Sequence, residues 1–331
     1  TVVDFDPQPE STIDEGDFYR NLAEELDDTA LGLLVSDLTS QYENNNNSRK
    51  DWRENYEKGL QLLGYKYEDR TEPFRGASGV THPILAEAAT QFQAQAYNEL
   101  LPPSGPVRTV VMGAVDKKKE QQAHRVKEFM NYYLMNEMQE YTPEFDQMLY
   151  YLPLAGSAFK KVYYDSALNR PVSTFVPATD LIVPYETSNL ETCPIITHRI
   201  DMNVNDLRKQ QIAGFYLDVP VMPSQRTPDD VRAEMNKIQG AEPTQGDYDT
   251  TLLEFHVELD LDGFEHQDEE GEDTGIKLPY IVTICEDTNV VLSIRRNYLE
   301  DDEDFKKIEY FVHYKFLPGF GFYGLGLIDT I

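Results

Sequence analysis

Apolar side chains recur every three or four positions through the first half of the chain. Later they recur every second position, so helices are expected first and strands afterwards. Leu31, Leu34, Val35, Leu38 and Tyr42 share one helical face. The four asparagines at 44–47 favour turns and predict a break. Trp52, Tyr56, Leu60 and Leu63 mark the face of a second helix, with Gly64 at its C-cap. Together these two predict an αα-hairpin or a kinked pair. Residues 70–81, RTEPFRGASGVT, read as a loop. His82-Pro83 opens a third helix, because proline is pre-organised for a first turn. Its stripe is Leu85, Ala88, Ala89, Phe92, Ala96 and Leu100, and Pro102-Pro103 ends it. Residues 117–141 predict the longest helix, with Val126, Phe129, Met130, Tyr133, Leu134, Met138 and Tyr141 aligned. Thr142-Pro143-Glu144 starts the next, which ends near Pro153 or Gly156.

The period then changes. Residues 158–164 and 172–176 read as strands around an Asn169-Arg170 turn. Thr227-Pro228-Asp229-Asp230 opens a short helix that closes at Gly240. Residues 252–262 alternate, with Leu253, Phe255, Val257, Leu259 and Leu261 facing one way. Glu254, His256, Glu258, Asp260 and Asp262 face the other, which predicts a strand half buried and half wet. Residues 279–285 and 290–295 form a hairpin across Asp287-Thr288-Asn289, and a last strand spans 310–316. Helices followed by strands make an α+β chain, with N-terminal helices and then antiparallel strands and hairpins.

Composition changes the picture through charge. The 331 residues carry a formal charge of -30. The acids gather in residues 1–28, 241–276 and the unbroken run 300–304. Such a surface gains nothing from counterion release on DNA and does not settle on an anionic membrane, so specific DNA reading and membrane binding are not expected. Solvated solubility is the plain account of the acids. The sharper one is a surface past which DNA slides without sticking. Cys193 and Cys285 belong to no CxxC pair, so a reduced folding compartment is expected. The apolar ending at 324–331 has no cap or polar tail and predicts further chain.

Candidate chemistry is sparse. Glu258, Asp260, Asp262, Gly263 and Glu269 sit at calcium-loop positions, but Glu258 replaces the expected Asp and the flank is a strand, which favours a hairpin loop. Gly76-Ala-Ser-Gly79 lacks the lysine and preceding strand of a phosphate loop. His82, His124, His198, His256, His266 and His313 show no zinc spacing. No catalytic residue, cofactor or metal ligand is expected. After Pro318 come apolar and aromatic residues set between glycines; exposed, they would invite aggregation, so they are either core or a subunit contact.

Three stretches resemble portal (head-to-tail connector) proteins of tailed phages, especially a group common among marine phages. They are Arg70-Thr-Glu-Pro-Phe-Arg-Gly-Ala-Ser-Gly-Val-Thr-His-Pro83, Gln91-Phe-Gln-Ala-Gln-Ala-Tyr-Asn-Glu-Leu-Leu-Pro102 and Phe316-Leu-Pro-Gly-Phe-Gly-Phe-Tyr-Gly-Leu-Gly-Leu-Ile328. The resemblance covers roughly residues 50 to 331. It implies a non-enzymatic subunit of a ring of about twelve copies at the capsid vertex of a virion assembled in the host cytoplasm. Duplex DNA would pass through without sequence-specific binding. The implied partners are the other ring subunits, the major capsid protein, tail adaptors and, transiently, the terminase motor. The acids of residues 1–28 predict a loosely ordered arm, and the resemblance implies a wing-like α+β domain, taken over 29–318. Residues 319–331 would be a truncated lead-in to a stem helix, with stem and clip absent from this chain. Phe320, Phe322 and Tyr323 are the interface candidates. Two rival readings remain: a metal-dependent hydrolase using the acids of 258–273, and an acidic DNA mimic for basic partners.

Overall fold

The computed structural model describes residues 17–63, 74–75, 78–79, 82–114, 116–165, 168–221, 230–240, 249–268 and 270–330. The first sixteen residues of the expected arm, Gly64, Arg70, Gly76, Glu269 and the Thr227-Pro228-Asp229 helix start lie outside them. In chain order the elements are α1 (Asp28–Ser48), α2 (Lys50–Gln61), α3 (Ile84–Leu100), α4 (Lys117–Tyr132), α5 (Tyr141–Ala155), β1 (Ser157–Asp165), β2 (Arg170–Pro177) and β3 (Leu181–Ile182). There follow β4 (Ile195–Asn203), α6 (Val204–Ile212), α7 (Asp230–Gln239), β5 (Asp249–Leu259), β6 (Leu278–Cys285), β7 (Val290–Arg296) and β8 (Phe311–Lys315). Helices with antiparallel sheets make the chain α+β. It divides into two compact units, each assembled from separate stretches of chain.

The first unit holds Thr1–Glu43, Pro194–Gln225 and Gly246–Ile308. Its strands β4, β5, β6 and β7 pair antiparallel in that order, with Thr197 opposite Phe255 and Phe255 opposite Val282. Asn289 takes the left-handed conformation (φ 52°) that closes the β6–β7 turn, as asparagine does at small cost. The expected wet side of β5 holds at Glu258 and, just past the strand, at Asp260 and Asp262, all exposed, but it is corrected toward the start of the strand. Thr250, Leu252 and His256 are as buried as Leu253 and Phe255 on the opposite face. Leu207 of α6, together with Tyr216, packs against Leu252, Cys285 and Leu292 and covers that second face. The adjacent pair Leu252-Leu253, one on each face, is the trace of this double burial. Strand β4 and helix α6 had no clear pattern: apolar residues of β4 fall on both faces, and α6 is short and polar. Asn203 starts α6 by accepting the Asn205 N–H at 2.8 Å.

The segment 17–25, expected within a loose arm, packs on β7. Leu22 is fully buried, and Asn21 both donates to Leu292 O (3.0 Å) and accepts from Ile294 N (2.9 Å). Arg295 and Arg296 donate to Tyr19 O and Phe18 O, and Arg296 lies over the Phe18 ring. A side chain thus occupies strand hydrogen-bonding groups that would otherwise invite another strand.

The second unit holds Asn44–Cys193, Arg226–Gln245 and Glu309–Ile331. Its sheet runs β2-β1-β8, with Phe159 of β1 opposite Val176 on one side and His313 on the other. Helix α5 lays Phe145, Met148, Leu149 and Leu152 over it, joined by Phe92, Ala96 and Tyr97 of α3. The predicted stripe of α3 is a packing face from Leu85 to Ala96, while Leu100 at its end is exposed. The asparagines at 44–47 do not break the helix: α1 runs through them to Ser48, and the chain turns at Arg49 instead. Local asparagine preference is worth only tenths of a kcal/mol, roughly, and tertiary contacts override it. The predicted helix 117–141 is also corrected. Helix α4 ends at Tyr132, a π turn covers Tyr133–Glu137, and the Met138 N–H donates to Tyr133 O at 2.9 Å. The widened turn rotates Met138 inward to burial, out of phase with Val126, Phe129 and Met130.

Candidate interface

The glycine-aromatic segment after β8 is built against the α5–β1 corner. Gly156 caps α5 at φ 75°, where a side chain would be strained. Phe316 N donates to Gly156 O (2.9 Å), Leu327 N to Pro153 O (2.7 Å) and Gly324 N to Ser157 Oγ (2.8 Å). Leu317 and Leu325 exchange backbone bonds across the loop between them. The crossing is so close that a Cβ on Gly324 would strike Gly156 O, and one on Gly326 would strike Leu154 O. Ser157 Oγ also lies 3.0 Å from His313 Nε2. Burial, and the nearby Lys315 ammonium, push His313 down to about 4.

Each interface candidate therefore has a definite place. Phe322 is buried in this unit's own core, stacked on Phe159 and in tilted contact with His313. Tyr323 is half-buried, stacked on Trp52 with centroids 5.6 Å apart, and its hydroxyl donates to Leu181 O at 3.0 Å. Phe320, at the tip of the same loop, is fully exposed. One segment thus supplies both core and surface.

Sequence reasoning missed Arg49. Its guanidinium is buried, donating to Ala178 O (2.6 Å), Thr179 O and Leu181 O (3.2 Å), with its carbon 5.6 Å from the Trp52 ring centroid. A second polar node joins α5 to β1 and β2. Lys160 donates to Ser173 Oγ (3.3 Å) and sits 4.6 Å from the Tyr141 ring centroid. Burial pushes its ammonium down to about 8 and pushes the Glu144 carboxyl up. Glu140 receives two bonds of 2.8 Å from Arg170, which lowers its pKa.

The calcium-like spacing starts at Glu258 in β5 and continues onto the connection to β6, so strands rather than helices flank it. Asp268 accepts the N–H groups of Glu270 (2.9 Å) and Glu272 (3.0 Å), and these bonds lower its pKa. Among the described residues no group of three or more His, Cys, Asp or Glu is placed to hold a metal ion. His266 meets Phe305 edge to face at 4.9 Å, which brings this loop beside the acidic run 300–304.

A group of open apolar side chains lies elsewhere, among the described residues of 105–132. An extended strap before α4 in the chain is bonded back onto it. Asn131 binds Val107 through both its amide groups (2.8 and 3.1 Å), and Thr109 Oγ1 donates to Ala123 O. No residue of α4 is buried. Val110 is 84% exposed, Met112 90% and Phe129 57%, with Val126, Met130 and Tyr132 also open. Periodicity found the helix and its apolar face. It could not say that the face stays uncovered, although Lys117, Lys118 and Lys119 standing together in so acidic a chain are a compositional mark of an unusual segment.

No described helix is long and apolar enough to cross a membrane. Comparison with protein-family models and with curated proteins gave no match for this chain.

Proposed function

We propose that this chain is the wing-like part of a portal ring, a mechanical subunit through whose ring DNA is packaged and ejected. The observation that carries it is the set of open apolar side chains: Phe320, and Val110, Met112 and Phe129 on the strap and α4. A monomer that displays these in water carries an aggregation hazard, and a closed ring covers such surfaces. The resemblance at residues 70–83, 91–102 and 316–328 points to the same class. The charge of -30 suits a wall past which DNA slides, because an acidic surface offers phosphates no counterion-release gain. In this reading the ring sits at the capsid vertex of the virion. It holds about a dozen copies and meets the major capsid protein and tail adaptors, and the packaging motor transiently.

The test is electron microscopy of the full protein together with native mass measurement. A closed ring with a central hole wide enough for duplex DNA is expected. A protein that stays monomeric at every concentration overturns the proposal.

A further inference from the structure

The segment 105–132 differs from the rest of the molecule in charge as well as exposure. It holds six basic residues (Arg108, Lys117, Lys118, Lys119, Arg125, Lys127) and three acidic ones, a formal +3. The other residues hold 23 basic and 56 acidic side chains, a formal -33. An arm that is basic and apolar fits a surface that is acidic and apolar. The first unit presents one. The turn after β7 carries Glu300, Asp301 and Glu303, all exposed, beside Leu299, which is 53% exposed. The Phe305–His266 contact sets the β5–β6 loop next to that turn, with Asp268, Glu270, Glu272 and Asp273 exposed and Ile276 open among them.

We infer that the arm docks on this acidic end of a second copy of the same chain. Phe129, Val126 and Met130 would cover Leu299 and Ile276, while the lysines at 117–119 face the carboxylates. Arm and acidic end are different surfaces, so the contact is heterologous, the kind that closes a ring. This rests on the ring reading above and assigns the contact within it. The electrostatic part steers and orients the copies; the apolar part supplies the attraction that remains in salt.

The test joins the two surfaces covalently in the full protein. Phe129→Cys and Leu299→Cys are placed in one chain; both positions are exposed, and the native Cys193 and Cys285 are buried. Mild oxidation is expected to give a ladder of covalent oligomers, and neither single variant gives more than a dimer. A second arm reverses charge. Lys117→Glu with Lys118→Glu and Lys119→Glu, or Glu300→Lys with Asp301→Lys and Glu303→Lys, raises the concentration for half-assembly by about tenfold or more. Mixing the two variants restores assembly, because each arm then meets an end of opposite sign. Rings that form without the ladder, and without the mixing rescue, overturn this contact and leave the ring reading standing. Rings unaffected by the arm variants, with loss of DNA retention instead, reassign the arm to nucleic acid. A protein monomeric throughout overturns the ring reading, and this contact falls with it.

Discussion

Arg49 shows how one side chain sets a corner. Its guanidinium spends its donors on three backbone carbonyls of residues 178–181 while lying against Trp52, so its removal leaves buried acceptors without partners. Arg49→Met is expected to cost about 3 kcal/mol, read as a lower urea midpoint. Arg49→Lys should recover less than half, because a single ammonium cannot replace a planar fork of donors. His313 sets a pH dependence. Its ordinary value is 6.5 and its folded value about 4, so between those values the unfolded chain binds more protons than the folded one. Stability therefore rises with pH across that window and falls as pH drops through it. The expected contribution is roughly 2 kcal/mol after allowing for partial solvent access. His313→Phe keeps the ring contacts with Phe159 and Phe322. Its stability should change less steeply with pH between 6.5 and 4, and an unchanged slope would assign the acid sensitivity to other groups.

At the scale of elements, the glycine segment is held by proximity of backbone to backbone. The atoms a Gly324 Cβ would meet include Gly156 O and, at 2.8 Å, Leu317 O, neither of which can swing aside. Gly324→Ala should therefore cost about 2–4 kcal/mol in thermal or urea unfolding. Gly321→Ala, with nothing within 4 Å of the new methyl group, should stay within about 0.5 kcal/mol of the parent. Equal effects at both would mean the glycines serve flexibility rather than close approach. The same scale shows what patterning could and could not supply. The β6–β7 hairpin, β1–β2 and the face of α3 follow from alternation, turn residues and helical spacing, all local signals. The run of asparagines misled because its helical state depends on what α1 and Arg49 meet later in the chain. The predicted wet face of β5 holds from Glu258 onward and fails in the first half of the strand for a related reason: its covering helix α6 lies some forty residues away in sequence and has almost no pattern of its own.

For the molecule as a whole, charge is the dominant global property. With -30 on 331 residues, self-repulsion works against the compact state. The thermal midpoint is expected to rise as sodium chloride is raised from about 20 to 200 mM, which shortens the screening length to below about 10 Å. A falling midpoint would show that attractive pairs such as Arg170–Glu140 and Arg232–Asp180 outweigh the repulsion. The sequence by itself determined the α+β class, most helices and hairpins, the acidic surface and the segment in which interface residues were sought. Those follow from periodicity, turn chemistry and composition, which act over a few residues or over all of them at once. Only the tertiary structure decided that Phe322 faces inward while Phe320 faces out, that Arg49 is buried, and that the apolar face of α4 stays open. Burial depends on which distant residues arrive at a site, and chain-local preferences of a few tenths of a kcal/mol, roughly, do not encode that arrival.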